Sequence, residues 1–342
     1  MKSREVSFSA TFLIAIALSI GSSLFLSFFV TIIALHYNLD INSIASSEVF
    51  IYISAILPQL CFLGIFLYYK FKKNLEINFL PKENTFSPFA LYPVVILLSI
   101  ITLLGSLNFT YLGNYIFSFF ANPSSLDLPV DNVLTFIFSS LFLCLLPAVF
   151  EEILFRGILF ESLRKKFSLP LAIILSAFCF ALMHMSLFSF IHQFLLGIIL
   201  ALLAYFTGSI VYGMVFHFIN NFAVILIEFA FGGAFPLIFA EYSLLNVVLI
   251  LGIFALTVGV VFLFFFLLRK KKSLNDTKIE TSTSLEIQQK ENTLLNSDET
   301  SEEVLNLDKY NEDKEKLKRE KRLIFASFAI AILLNLMFTF LA

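Results

Sequence analysis

Residues 145–156 read LLPAVFEEILFR: six uncharged residues, two adjacent glutamates, three apolar residues and an arginine. They sit inside a longer apolar run, 132–163. A run of about 20 mostly apolar residues is long enough to cross a bilayer as a helix. A carboxylate at membrane depth costs on the order of 2.5–3.5 kcal/mol by insertion scales, and two side by side also repel. Glu151 and Glu152 therefore need partners or a task.

The rest of the chain reads the same way. Of its 342 residues, 59% are hydrophobic and 14% charged, against roughly 25% charged in soluble proteins. There are 45 phenylalanines and no tryptophan, which leaves the interfacial aromatic belt to 11 tyrosines. The fold class is all-α, a polytopic transmembrane helix bundle of about eight or nine spanning helices. The expected spans are 8–36, 49–69, 87–107, 132–163, 171–187, 190–206, 209–231, 244–268 and 323–341. Residues 115–121 are read as a short interfacial helix. The first run is too long for a signal-peptide core and is read as a retained helix.

Basic residues order these spans. Lys2 and Arg4 precede the first. Lys70, Lys72, Lys73 and Lys82 follow the second, Arg164 to Lys166 the fourth, and Arg269 to Lys272 the eighth. The alternate loops carry Asp40, Glu48, Asp127, Asp131 and Glu241 without Lys or Arg. The positive-inside rule then places the N-terminus in the cytoplasm of a plasma membrane, expected to be bacterial. Residues 273–322 lack Gly and Pro and are rich in Glu, Lys, Asp, Ser and Asn. They read as a partly disordered cytoplasmic loop, whose part from Glu302 to Arg322 has Glu/Lys pairs at helical spacing. The expected organisation is N-terminal helices in 1–129, a core in 130–231, a further helix in 232–272, the charged loop in 273–322, and a final helix in 323–342.

Composition also excludes some functions. No basic groove with interleaved aromatics points to nucleic acid. Cys61, Cys144 and Cys179 lie in apolar spans without CxxC spacing, so they read as buried, inert thiols.

The polar residues of spans four to seven form one constellation. Glu152 and Arg156 are four apart and share a helix face, as do His217 and Asn221. Phe180 stands one turn before His184, although one among 45 phenylalanines carries little signal. Counted from the nearest cytoplasmic boundary, Glu151, His184 and Asn221 lie at about 20, 21 and 20 Å on a rise of 1.5 Å per residue, and His217 at about 14 Å. A buried glutamate beside an imidazole can hold and deprotonate a water. A second imidazole with a side-chain amide can donate to a developing oxyanion. Glu151, His184 and His217 alternatively make a two-His, one-carboxylate set of the kind that binds catalytic Zn²⁺. Taken singly, Glu152–Arg156 reads as a structural pair and His184 as a packing residue. Asn221, taken singly, reads as a join between two helices, His36 and His192 read as structural, and Gly197, Gly208 and Gly213 as points of close helix approach.

Glu151-Glu152-x-x-x-Arg156, Phe180-x-x-x-His184 and His217-x-x-x-Asn221, in this order, resemble the three motifs of the CPBP intramembrane proteases. That family includes the type II CAAX prenyl endopeptidases (Rce1-like, also called Abi proteins) and bacteriocin-processing or immunity proteins. The resemblance covers about residues 130–231. It implies that Glu151 activates water with help from His184, and that His217 and Asn221 form the oxyanion site. It gives Glu152, Arg156 and Phe180 a supporting part. Both metal-dependent and metal-free mechanisms have been described for the family, so the cofactor, none or Zn²⁺, stays open.

The expected function is hydrolysis of a peptide bond in a membrane-anchored or hydrophobic segment, with the substrate and the lipid bilayer as partners. Two other readings compete: a non-catalytic immunity or scaffold protein, and a transporter using the same groups as a proton relay. The chain has no inverted repeat or paired broken helices of the transporter kind.

Overall fold

The computed structural model describes residues 6–77, 79, 88–117, 128–232, 248, 252–270 and 303–341. Among them there are helices and no strands. Each expected span overlaps a helix where its residues are described. These are α1 (Phe8–Tyr37), the short α2 (Ile41–Ala45), α3 (Glu48–Lys73), α4 (Pro88–Phe117), α5 (Val133–Arg164), α6 (Leu169–Met183), α7 (Leu187–Thr207), α8 (Val211–Phe231), α9 (Gly252–Lys270) and α10 (Glu303–Leu341). α1, α3, α5, α7, α8 and α9 are long and apolar enough to cross a membrane. The chain is an all-α, integral membrane bundle.

Local chemistry sets the ends. Ser47 caps α3 by accepting the Phe50 N–H, and Lys70, Lys72 and Lys73 sit in its last turn, where cations favour the helix dipole. Asn132 and Thr135 form a reciprocal capping box that starts α5. Gly208 ends α7 at φ 68°, so its task is a left-handed cap and not close helix approach; a Cβ there would meet open space.

α5 is the central helix. All eight residues from Ile153 to Phe160 are buried, as expected of a helix apolar all round. It is also irregular, with π-helical turns at Ser140–Leu145 and Ile153–Phe160 on either side of an α-helical stretch, Leu146–Glu152. Such insertions in a helix occur often at functional sites. Large apolar side chains on α1 such as Phe25, Phe28 and Leu35 are exposed, facing the layer that lipid fills.

Three expectations change in detail. The span expected at 171–187 ends at Met183, and the next begins at Leu187. The reason is that only residues 184–186 connect α6 to α7. With 15 residues, α6 is about 22 Å long, short of a 30 Å hydrocarbon layer. Its turn therefore falls short of the far side of such a layer, with residues 184–186 half-buried against the neighbouring helices. The stretch 115–121 splits: its first three residues close α4 and the rest lie outside the described residues, as do 244–247 and most of the charged loop. Glu303 to Arg322 is helical and continuous with the final span, so α10 is one helix of 39 residues.

α10 docks on the core. Phe328 stacks on Phe8 at 5.9 Å and packs against Phe12 and Phe178, each at 5.7 Å. Ile324 and Ala331 are buried beside it. At the charged end, Lys166 pairs with Glu320 at 2.7 Å.

Candidate active site

Four helices supply the site. α5 brings Glu151, Glu152 and Arg156, α6 ends at Phe180 and His184, α8 carries His217 and Asn221, and α3 contributes Gln59.

Glu152 is the hub of charge. Its Oε1 accepts from Arg156 Nη1 at 2.7 Å and from His217 Nδ1 at 3.2 Å. Arg156 is fully buried, and its Nη2 donates to the Gly197 carbonyl of α7 at 3.1 Å. This closeness depends on two glycines. A Cβ at Gly213 would lie 2.9 Å from Glu152 Oε2, and one at Gly197 would lie 2.8 Å from the Ala177 Cα. The expected Glu152–Arg156 pair therefore exists, but Glu152 also fixes His217.

Glu151 is half-buried, and its partner comes from far away in sequence. Gln59 Nε2 donates to Glu151 Oε1 at 3.0 Å, across 92 residues. Glu151 is thus held through one of its two oxygens. Its Oε2 is buried and has no partner among the described residues. Gln59 carried a signal that the sequence reading passed over, a lone amide at mid-span in apolar α3.

His184 is the C-cap of α6. Its Nδ1 lies 2.8 Å from the Phe180 carbonyl. A carbonyl oxygen only accepts, so Nδ1 carries a hydrogen and the neutral ring keeps Nε2 open. His184 lies within electrostatic reach of Glu151, His217 and Arg156.

Phe180 is far more central than its sequence signal. The Arg156 guanidinium sits 4.5 Å from its ring centroid. Phe155, His184 and His217 meet it edge-on at 5.2, 4.8 and 5.6 Å. One ring thus spaces the cation and both imidazoles, and its negative face suits the guanidinium.

Other polar groups gather nearby. His192, expected to be structural, lies within electrostatic reach of His184 and His217. His192 Nδ1, Gln193 Oε1, Gln59 Oε1, Arg156 Nε and the buried Asn220 Nδ2 have no protein partner. Orphaned polar atoms are rare in apolar interiors, and here most lie on the residues of this constellation or beside them in sequence. His36, by contrast, packs on Tyr37 at the exposed end of α1. Cys144 and Cys179 are buried free thiols, while Cys61 is half-buried.

Among the described residues, no three His, Cys, Asp or Glu side chains gather closely enough to hold a metal ion.

Residues 133–223 match the family model described as Type II CAAX prenyl endopeptidase Rce1-like. The segment resembles that family. It runs from the start of α5 to beyond Asn221 and contains the three motifs of the CPBP resemblance. The family so described is one of proteases, and the likeness extends to this segment of the chain alone. No curated protein and no solved structure matches the chain. α3, with Gln59, and α10 lie outside the Rce1-like segment.

Proposed function

We propose that the chain is an intramembrane endopeptidase that uses Glu151 as its base. Water binds between Glu151 Oε2 and the open Nε2 of His184. Glu151 takes one proton as the water oxygen attacks the carbonyl carbon of a peptide bond. The carbonyl oxygen becomes an oxyanion, which Asn221 and His217 Nε2–H stabilise by donation. Glu151 then returns its proton to the departing amine.

The geometry of His217 supports these roles. It already donates Nδ1–H to Glu152, so donation to the oxyanion falls to Nε2 and requires the ring to carry both hydrogens at that step. The observation that carries the reading is the division of labour in Glu151, with Oε1 held by Gln59 and Oε2 unpartnered within electrostatic reach of His184. The substrate class is a hydrophobic or membrane-anchored peptide segment, which can reach a site walled by apolar helices.

The test is cleavage of membrane peptides by purified protein. Glu151→Gln keeps an oxygen for Gln59 but removes the base. It is expected to lower kcat by about 10²–10⁴-fold with little change in thermal stability; cleavage at the wild-type rate overturns the assignment. Chelation is expected to leave activity unchanged. Loss on chelation, restored by Zn²⁺, would replace the base mechanism with a metal one.

A further inference from the structure

The last helix lies outside the Rce1-like segment, yet it touches the turn that carries His184. Asn335, 1% exposed, donates from Nδ2 to the Leu182 carbonyl at 2.9 Å. The same carbonyl accepts the Met185 N–H at 3.2 Å, and the His184 N–H goes to Ala181 at 3.2 Å. These bonds define a tight turn two residues beyond the point that Asn335 grips.

That turn is strained. Met185 has φ 49°, in the left-handed region that a side chain disfavours and that helix ends commonly give to glycine. Strain of this kind persists only where the surroundings over-determine it. Here the surroundings are α10. Phe328 packs on Phe178 of α6, Ala331 is buried one turn further, and Asn335 follows one turn after that. Asn335 and Leu182 are 1% and 3% exposed, so solvent does not readily replace the amide donor when it is lost.

We propose that Asn335 is a positioning residue for the reaction. Its amide holds the Leu182 carbonyl, which keeps the His184–Met185 turn in its left-handed shape and the His184 ring directed toward Glu151. The clamp stands on geometry alone; its effect on catalysis rests on the endopeptidase reading above. A helix that the family match does not include thereby becomes part of the machinery.

The experiment compares wild type, Asn335→Leu and Asn335→Gln as purified full-length protein. Hydrogen exchange is read by mass spectrometry on the segment spanning residues 182–187. Asn335→Leu has no donor and is expected to exchange roughly three- to tenfold faster there, while Asn335→Gln, which keeps the donor, stays nearer wild type. Peptide cleavage is expected to lose about 10–100-fold in kcat with KM held within about twofold. Unchanged exchange in Asn335→Leu overturns the clamp. Faster exchange with unchanged kcat, or an effect on KM alone, overturns the positioning role. If wild type cleaves nothing, the endopeptidase reading fails by itself, and exchange still decides the clamp. Should Asn335→Leu fail to fold, the comparison moves to a Met185→Gly background, where the left-handed residue carries no penalty. Exchange there no faster than in Met185→Gly alone overturns the proposal.

Discussion

His217 donates through Nδ1 to Glu152 Oε1 at 3.2 Å, on the same oxygen that Arg156 holds at 2.7 Å. One buried carboxylate oxygen thus ties α8 to α5 and orients an imidazole and a guanidinium together. Breaking such a group from one side leaves the other members uncompensated.

Arg156→Met is therefore expected to destabilise the protein by about 3–5 kcal/mol, the cost of stripping one partner from a buried pair. Adding Glu152→Leu to it removes the stranded charge and is expected to recover much of that loss, while activity stays abolished because His217 has lost its counter-charge. Thermal unfolding in detergent, paired with peptide cleavage, checks both halves. Equal stability of the single and double variants would contradict the account.

Gln59 sits on α3 and touches the chemistry only through Glu151. Gln59→Leu keeps the volume and removes the donor. The expected outcome is a drop in kcat on the order of tenfold, from a base held less firmly, with the midpoint of thermal unfolding nearly unchanged. A large fall in stability without a change in kcat would assign Gln59 to packing instead.

Two glycines set how close the helices come. Gly197→Ala places a Cβ 2.8 Å from the Ala177 Cα, a backbone atom that cannot step aside. It is expected to cost about 1–3 kcal/mol from overpacking. Gly213→Ala meets the Glu152 carboxylate at 2.9 Å and is expected to lower activity more than stability, because a side chain can swing away and take its hydrogen bonds with it. Gly64→Ala, with nothing within 4 Å, serves as the control and is expected to be silent in both measurements.

The helices were legible because hydropathy is a strong, local signal, and each expected span found one. The Glu152–Arg156 pair was legible for a similar reason, since spacing of four on a helix implies contact. What escaped was non-local or conformational. Gln59 meets Glu151 across 92 residues, a distance over which no spacing rule operates. Phe180 was hidden by its abundance, since nothing in composition separates a ring between two imidazoles from 44 others. The end of α6 was misplaced because residues 184–186 are not polar enough to interrupt an apolar run. The strained φ of Met185 and the grip of Asn335 explain it only in three dimensions.

The π-helical turns of α5 have one more consequence. Each holds more residues per turn than an α-helix, so each fixes its neighbours at a phase that an even helix would not give them. Deleting a single residue from 153–160 would remove the extra residue that such a turn accommodates, so the helix can relax to α-helical spacing with the part beyond it kept near its present phase. What would change is the turn itself, which carries Arg156 next to the two glutamates. The length of this stretch is therefore a matter for the site more than for the fold, because the helix can lose the residue and the ion pair cannot lose its spacing.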